Sequence, residues 1–557
     1  MQPVLVPQPD GSLRVDGRRV PLGELPSVVA ARDAAARWTW DDTNRWYPGL
    51  LSAGVRVERA HDLRLAHRIL RSSALASWPD PDDAWDSLPV TPLTAVADEP
   101  AMLFGPVDDA ARPDPVAELA RQDAVVAGSA AAGRLRLLLA AESAGALTAV
   151  EMYHAGLPWL ADVHDAVLTE TLGPRPRLGE RPARLDELAQ RIRDALGAPA
   201  TLNPDSPQDL LRAMQRAGVG ARTLRKWELE QLDHPVVEPL LEYKSLYRLL
   251  TANGWAWLEA WVRGGRFRSE YVVGGVVTGR WASSGGGALQ LPKSVRRAVV
   301  ADPGWTFVVA DAAQLEPRVL AAMAGDEVMA AAGRGPDGRG ADMYAGIVAS
   351  GAVPTRELAK VGMLGAMYGG TTGSSGQVLP RLAKAFPRSL AFVDEAARAG
   401  ERGEVVTTHL GRSSPLPGAT WHETQAGAYQ DDAGDDDVAR ARSYARSWGR
   451  FTRNFVVQGT AAEWALCWLA SIRRRLWALG VDSALPDGAV LPPFTGRPHL
   501  VFFVHDEIVV HTPSSLAEAV AAEVQEAAAE AGRLLFGDFP VAFPLSVAIA
   551  PSYADAK

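Results

Sequence analysis

The segment HLVFFVHDEIVVHTP, residues 499–513, constrains the fold more than any other part of the chain. Two strongly apolar arms flank His505, Asp506 and Glu507. Polar side chains in the middle of an apolar run are costly unless they occupy a turn or carry out chemistry. The pattern therefore predicts a β-hairpin packed inside the protein. Its polar tip is either an ordinary surface turn or part of a working site.

A second acidic residue ends another apolar run. In GWTFVVADA, apolar residues lead into Asp311, and a helical pattern begins near Leu315. This order predicts a carboxylate at the C-terminal end of a buried strand. An isolated acid in that position is more often a helix cap than a catalytic group, so both interpretations stay open on this motif alone.

The segment TRELAKVGMLGAMYGG places Arg356, Lys360, Leu364 and Tyr368 four residues apart. On a helix, residues at this spacing form one ridge. Two cations followed by an apolar and an aromatic side chain suit a nucleoside triphosphate, with phosphates at the cations and the base near the other two. The alternative is an ordinary amphipathic helix with solvated cations.

Length and charge set outer limits on the function. A chain of 557 residues is too long for one compact domain. The formal charge of −9 argues weakly against a nucleic-acid partner. However, the stretch from Arg266 to Arg297 is rich in arginine and holds only one acid, Glu270. This stretch is either a solvated surface or a track for phosphates.

The remaining patterns predict the order of elements and the compartment. The first 130 or so residues predict a small α/β domain that ends in a linker near residues 110–119. Helical patterns cover about 119–260, and strands are predicted at 269–280, 304–312 and 541–551. The acidic run Asp431–Asp437 predicts a solvated loop. A lone cysteine, no signal-peptide pattern and no apolar run of membrane-spanning length favour a cytoplasmic protein without membrane contact.

Five motifs in a fixed order resemble those of family A DNA polymerases, the DNA polymerase I type. DAAQLEPRVLAAMAGD is similar to the first palm motif, D-Y-S-Q-I-E-L-R, and VHDEIV to the third, V-H-D-E. RELAKVGMLGAMYGG resembles the fingers-helix motif R-x-x-x-K-x-x-x-F/Y-G-x-x-Y-G. VVTGRWASS resembles T-G-R-L-S-S, and RFTRNFVVQGTAAE resembles R-x-x-x-N-x-x-x-Q-G-T-A-A. The resemblance covers about residues 140–557.

The resemblance implies an α+β multidomain architecture with a right-hand polymerase fold. We expect a thumb at 140–265, a palm at 266–330 and 415–557, and fingers at 331–414. A small exonuclease-like α/β domain would precede them at 1–139. This domain is expected to be degenerate, because the family's proofreading chemistry starts from an Asp-x-Glu pair that the first 140 residues lack. Asp41, Asp42 and Asp62 are instead predicted to cap helices.

The resemblance also implies the site residues. Two Mg²⁺ ions, with Mn²⁺ as an alternative, would be held by Asp311, Asp506 and the backbone carbonyl of Ala312. Lys360 joins the two aspartates as a catalytic residue. The residues implied for nucleotide binding are Gln314, Glu316, Tyr344, Arg356, Lys360, Leu364 and Tyr368. Those implied for DNA binding are Arg280, Arg450, Asn454, Gln458, His505 and Glu507.

The implied function is template-directed DNA synthesis in replication or repair. The enzyme would add dNTPs to a primer 3′-hydroxyl by two-metal phosphoryl transfer, without proofreading. Glu316 would exclude a ribose 2′-hydroxyl. We expect a monomer that binds primer–template DNA in the cytoplasm, associated with the nucleoid. The alternatives are a bifunctional 3′–5′ exonuclease/polymerase and a catalytically inactive DNA-binding relative.

Three departures from the family motifs affect the expected site. Ala312-Ala313 stands where the family has Tyr-Ser, Leu364 stands in place of an aromatic residue, and Tyr344 stands in place of a histidine. The Ala312-Ala313 change removes larger side chains, but the expected metal ligand at this place is a backbone carbonyl, which alanine also provides. The second weakens the expected packing around the nucleotide.

Overall fold

The structure is a computed structural model. It describes residues 2–556 apart from 80–83, 89, 94–112, 178, 288, 290, 336–337, 339, 371–372, 429, 431–432 and 486–489. The chain forms two compact units. The first comprises Met1–Gly156, Ser269–Gly285 and Pro303–Ala550, and the second comprises Leu157–Arg268, Gly286–Asp302 and Pro551–Lys557.

The N-terminal part of the first unit mixes short strands and helices. Its elements are β1 (Leu5–Pro7), β2 (Leu13–Val15), β3 (Arg18–Val20), α1 (Leu25–Ala30), β4 (Arg37–Trp40), α2 (Thr43–Ser52), β5 (Arg59–Asp62), α3 (Leu63–Ser72), α4 (Pro115–Gly128) and α5 (Ala132–Ala155). Strands β1, β2 and β3 form an antiparallel sheet, and β4 pairs in parallel with β5. Buried aromatic and aliphatic side chains, including Trp40, Trp46 and Tyr47, pack against Leu147 and Val150 of α5.

Two of the predicted helix caps in this part are confirmed. The Asp42 carboxylate accepts a hydrogen bond from the backbone N–H of Asn44 at the start of α2, across 3.0 Å. The Asp62 carboxylate accepts one from the backbone N–H of Leu65 at the start of α3, across 2.9 Å. Each cap satisfies an N–H group that has no partner within its own helix. The predicted linker near 110–119 lies partly outside the described residues, and its last part is already helical from Pro115.

The second unit is mostly helical. Its elements are β6 (Leu157–Pro158), α6 (Ala161–Leu172), α7 (Ala183–Leu196), α8 (Pro207–Arg216), α9 (Lys226–Leu229), α10 (Val237–Asn253), α11 (Trp255–Trp261), β7 (Val262–Arg263) and β8 (Arg266–Phe267). The predicted start of α8 is confirmed, because Ser206 caps it and Pro207 occupies its first turn. A cluster of aromatic rings packs inside this unit, with Trp257 5.2 Å from Trp159 and 5.0 Å from Phe267 between ring centroids.

The remaining elements belong to the first unit. They are β9 (Tyr271–Val272), β10 (Ala282–Ser283), β11 (Trp305–Ala312), α12 (Leu315–Met323), α13 (Glu327–Ala332), α14 (Met343–Ala349), α15 (Arg356–Tyr368), α16 (Gly373–Ala385), α17 (Pro387–Glu401), α18 (Ala419–Gly427), α19 (Asp435–Ala478), β12 (His499–Val504), β13 (Glu507–Pro513), α20 (Ala517–Phe536) and β14 (Leu545–Ala550). The mixture of long helices with one antiparallel sheet confirms the predicted α+β class.

The central sheet has the strand order β12-β13-β11-β14, with antiparallel pairing throughout. The predicted hairpin is confirmed as β12 and β13, joined by a two-residue turn of His505 and Asp506. His505 has a φ of 58°, the left-handed backbone that tight hairpin turns require. The turn places Asp506 at the same edge of the sheet as the end of β11.

Two predictions from the sequence are wrong in detail. The strand predicted over 269–280 is limited to Tyr271–Val272, because the glycine-rich residues that follow turn the chain instead of extending it. Asp435–Asp437 form the first turn of α19 and not a loop, where carboxylates stabilise the positive end of the helix dipole. Asp431 and Asp432 lie outside the described residues.

Among the described residues, α19 is the one helix long and apolar enough to cross a membrane by length and composition. However, 89% of its apolar window is buried inside the protein. This burial is what a core helix shows.

Candidate active site

Asp311 and Asp506 are brought together by strand pairing. Asp311 lies near the end of β11, directly opposite Glu507 on β13. The next residue, Ala312, donates its backbone N–H to the carbonyl oxygen of Asp506 across 2.9 Å. The two aspartates come from chain segments far apart in sequence, and the backbone ladder fixes them side by side.

The electrostatics of this edge favour a cation. Burial first, and the negative charge of Asp311 second, raise the pKa of the Asp506 carboxyl to about 6, against an opposing effect of Arg280. Two carboxylates that repel each other in a partly buried place gain free energy when a cation lies between them.

The donor set also fits magnesium. Magnesium prefers hard oxygen ligands and is usually held by one or two carboxylates, with waters and substrate phosphates completing its shell. The two aspartates and the nearby Ala312 carbonyl supply that chemistry. Within the described ranges, no cluster of three or more His, Cys, Asp or Glu residues has metal-binding geometry, so a protein-only cage for a cation is not present there.

Glu316 lies between an arginine and a tyrosine beside this edge. Arg280 donates a hydrogen bond from Nη2 to Oε1 of Glu316 across 2.6 Å. The Tyr368 hydroxyl lies 3.1 Å from both carboxylate oxygens. Burial and the Glu316 charge together raise the pKa of Tyr368, which keeps its proton available for this hydrogen bond.

A cleft of about 290 Å³ opens at this place. Seven of the predicted site residues line it, namely Arg280, Gln314, Glu316, Tyr344, Leu364, His505 and Asp506. The structure thus gathers one catalytic candidate, four nucleotide candidates and two DNA candidates around one opening. Partial burial and the charge of Arg280 lower the pKa of His505, which favours its neutral form.

The predicted ridge on α15 is present. Arg356, Lys360, Leu364 and Tyr368 are all exposed, whereas the intervening Ala359, Met363 and Met367 are buried. Thr355 caps the helix through the backbone N–H of Leu358. Of the four ridge residues, Leu364 lines the cleft, whereas Arg356, Lys360 and Tyr368 lie outside its lining.

Arg356 is held by a neighbouring helix start. Its Nε donates to Asp342 across 2.6 Å, and its guanidinium lies 5.6 Å from the ring centroid of Tyr344. Asp342 also caps α14 through the backbone N–H of Tyr344, across 3.0 Å. Sequence reasoning did not single out Asp342, although an aspartate directly before a helical pattern is a recognisable cap signal.

The other candidates for DNA binding are spread along α19 and the hairpin. Gln458 accepts a hydrogen bond from Thr278 across 3.0 Å. Asn454 lies beside the Tyr368 hydroxyl, and a hydrogen bond from its side-chain amide opposes the rise in the pKa of that hydroxyl. Arg450 is exposed, and its stem contacts Gly369 so closely that a Cβ there would lie 2.5 Å from Cγ. Glu507 is buried at 6% exposure, and a DNA contact for it stays a prediction.

Arg318 connects several backbone segments next to the site through hydrogen bonds. Its five N–H groups donate to the side chain of Gln314 and to the backbone carbonyls of Ala313, Gly333, Ala341 and Ala542. Gln314 itself has left-handed backbone angles, with φ 50° and ψ 48°. The sequence placed Arg318 in register with a family motif, but no local pattern indicated this network of contacts.

Comparisons with known proteins agree on one family. The family described as DNA polymerase family A matches residues 179–555. DNA polymerase I, thermostable, from Thermus aquaticus is 26% identical over 402 residues, which cover 67% of this chain and 42% of that protein. DNA polymerase I from Chloroflexus aurantiacus is 24% identical over 413 residues, covering 66% and 39%. The chain therefore matches less than half the length of these relatives.

A solved structure shares the fold. It is described as the POL domain of Pol1 from M. smegmatis in complex with DNA primer-template and dNTP. The TM-score is 0.66 at 17% sequence identity, and the match covers 98% of this chain and 92% of that chain.

Proposed function

The chain belongs to DNA polymerase family A, and from this premise we propose that it is a template-directed DNA polymerase. It extends a primer 3′-hydroxyl with deoxynucleotides, and its partners are primer–template DNA and dNTPs. The observation that carries the proposal is the pairing of β11 with β13, which sets Asp311 and Asp506 side by side at the cleft.

The reaction needs charge neutralisation more than covalent chemistry. Bound divalent metals, here two Mg²⁺ with Mn²⁺ as an alternative, would activate the primer hydroxyl and neutralise the leaving pyrophosphate. Asp311, Asp506 and the Ala312 carbonyl are the groups that would hold them. The carboxylates would hold the metals in their ionised form, which a nearby cation favours.

The cleft and the α15 ridge bind different parts of the nucleotide. Leu364 and Tyr344 line the cleft and contact the base and sugar. Arg356 and Lys360 lie towards the N-terminal end of the same ridge and bind the phosphates. Lys360 makes no ion pair with any described residue, so its charge is available to the leaving pyrophosphate.

Glu316 acts as the sugar gate. Its carboxylate is fixed by Arg280 and Tyr368 at the wall of the cleft. A ribose 2′-hydroxyl would have to share that space, and displacing the carboxylate would break these hydrogen bonds. The proposal is therefore selectivity for deoxynucleotides. Arg280, Arg450, Asn454, Gln458 and His505 are proposed to contact the primer–template.

The N-terminal part, residues 1–139, is proposed to be a degenerate exonuclease-like domain, followed by the thumb, palm and fingers at the boundaries given above. Acidic side chains of this part form ion pairs within it. Asp41 pairs with Arg45 across 2.8 Å, and Asp42 pairs with Arg64 across 3.2 Å. We propose a monomer that acts in the cytoplasm on nucleoid DNA and does not proofread.

Primer extension on one labelled duplex separates the three candidate functions. The primer is labelled at its 5′ end, annealed to a longer template and incubated with Mg²⁺, with and without dNTPs. A polymerase lengthens the primer only when dNTPs are present. With a single dNTP, it lengthens the primer only if that dNTP pairs with the next template base. Shortening without dNTPs supports the bifunctional alternative. Binding without any change in length supports the inactive one.

A further inference from the structure

A second cavity, of about 220 Å³, lies away from the active-site cleft. One wall is helix α3 of the N-terminal part, with Arg68 and Ser72. The other walls are Glu142 of α5, the turn at Val276 and Val277, and Arg412. All these residues belong to the first compact unit. The active-site residues described above do not use this cavity.

The cavity has an excess of positive charge. Glu142 is buried and accepts a hydrogen bond from Nη2 of Arg412 across 2.8 Å, so these two charges offset each other. Arg412 Nε is buried and has no hydrogen-bond partner among the described atoms. Arg68 is exposed and makes no ion pair with the described residues. Its guanidinium is thus the uncompensated charge of the cavity.

The surroundings of Arg68 do not neutralise it. One turn earlier on α3, Arg64 is paired with Asp42. Although the Arg68 side chain is exposed to solvent, the protein around it displaces part of its hydration and lowers its pKa. The nearby charge of Arg64 lowers this pKa further, and Glu142 opposes the shift only in part. A guanidinium among other cations gains most from an external anion, and phosphate is the anion whose geometry it matches.

The cavity is connected to the active-site cleft by one tight turn. Val276 donates its N–H to the carbonyl of Arg280 across 3.0 Å, and Gly279 donates to the carbonyl of Val276 across 2.8 Å. Arg280 lines the cleft, whereas Val276 and Val277 line the cavity and are 37% and 55% exposed. The same turn therefore contributes residues to both the cleft and the cavity.

We propose that this cavity binds a backbone phosphate of the DNA held in the cleft, with Arg68 as its charged contact. Val276 and Val277 pack against the adjoining sugar. The inference rests on the proposed function, because DNA is taken as the substrate. It gives the N-terminal part a DNA-binding role that is independent of nuclease chemistry.

Equilibrium binding of a labelled primer–template, without dNTPs, tests the site. Arg68→Ala should weaken binding about 5–10-fold. It should also reduce the slope of log K against log salt by about 1, the loss expected for one phosphate contact. Arg18→Ala is the matched control, because Arg18 is an exposed arginine of β3 in the same N-terminal part and does not line the cavity. It should leave both quantities nearly unchanged.

The outcomes separate this inference from the proposed function. No loss of affinity in Arg68→Ala, or a loss without a change in salt slope, overturns the phosphate site. Inorganic phosphate and free dNTP are then tested as competitors of DNA binding. If they displace DNA equally well from the wild type and from Arg68→Ala, the result supports a site specific to DNA. If Arg68→Ala abolishes this competition, the cavity is a small-anion site and the inference is overturned. If the wild type binds DNA through Arg68 but extends no primer, the proposed function fails and this site stands.

Discussion

Arg280 and Glu316 form an ion pair across the wall of the cleft, with 2.6 Å between Nη2 and Oε1. Glu316 lies in the first turn of α12, directly after the strand that carries Asp311. The pair therefore links the arginine proposed to contact the primer with the acid proposed to select the sugar.

Shortening Glu316 should change sugar selection. Glu316→Ala removes the carboxylate and opens space for a 2′-hydroxyl, so the preference for dNTPs over rNTPs should fall by at least about tenfold. Glu316→Gln is the control, since it keeps the volume and loses the charge, and it should retain more of the preference. Single-nucleotide incorporation with each substrate measures kcat/KM. A wild-type enzyme that prefers ribonucleotides would contradict the assignment.

Removing Arg318 should destabilise the protein. Arg318→Met removes the Arg318 donor from the partly buried carbonyls of Ala313 and Ala542 and leaves the Gly333 carbonyl only the N–H of Ala341. An unsatisfied buried acceptor costs about 1–3 kcal/mol before relaxation. We expect a loss of roughly 3 kcal/mol or more in the free energy of unfolding, measured by denaturant titration. Arg388→Met is the control, because Arg388 is exposed and donates to a single carbonyl. Equal stability of the two variants would exclude this role for Arg318.

Asp506 should make stability depend on pH in the absence of metal. Its pKa is raised to about 6 in the folded protein by burial and by Asp311, so the folded state binds the proton more tightly than the unfolded chain does. Its favourable contribution is therefore complete below about pH 4 and is lost as the pH rises through about 6. Asp506→Asn should be more stable than wild type at pH 8 by about 1–3 kcal/mol, with the difference vanishing near pH 4.

Denaturant unfolding in EDTA across this pH range provides the measurement. A variant that is no more stable than wild type at pH 8 would show that burial and the charge of Asp311 do not destabilise the ionised Asp506 carboxylate in the folded protein.

The N-terminal acids should not support proofreading. Asp42 and Asp62 cap α2 and α3, and Asp41 is paired with Arg45. We expect no excision of a mismatched 3′ nucleotide in Mg²⁺ or Mn²⁺, because metal-dependent hydrolysis needs a cluster of available acids. Excision that is lost in Asp42→Asn or Asp62→Asn, yet survives Asp506→Ala, would show that a nuclease site remains.

The features that the sequence predicted correctly are local ones. The apolar arms around Asp506 specify a hairpin, the four-residue spacing on α15 specifies a ridge, and Ser206 with Pro207 specifies a helix start. In each case the periodicity or the cap lies within one element, so a short segment carries the whole signal.

Contacts between distant segments could not be predicted in this way. Arg473 of α19 donates to both carboxylate oxygens of Glu151, across 2.8 and 2.6 Å, although 322 residues separate them. The Arg318 network likewise joins carbonyls from four segments. Pairs of this kind depend on how helices and strands pack together. Hydrophobic periodicity predicts the elements but not which side chains of distant elements will contact each other. The same reason explains why the Arg68 cavity had no counterpart in the sequence patterns.

The central claim is that Asp311 and Asp506 support metal-dependent DNA synthesis, and single-turnover primer extension tests it most directly. Asp311→Ala and Asp506→Ala should each reduce the rate by about 10³-fold or more, while folding and primer–template binding are retained. Asp436→Ala, which removes an exposed carboxylate at the start of α19, should extend at the wild-type rate. Near-normal extension by either active-site variant would contradict the account.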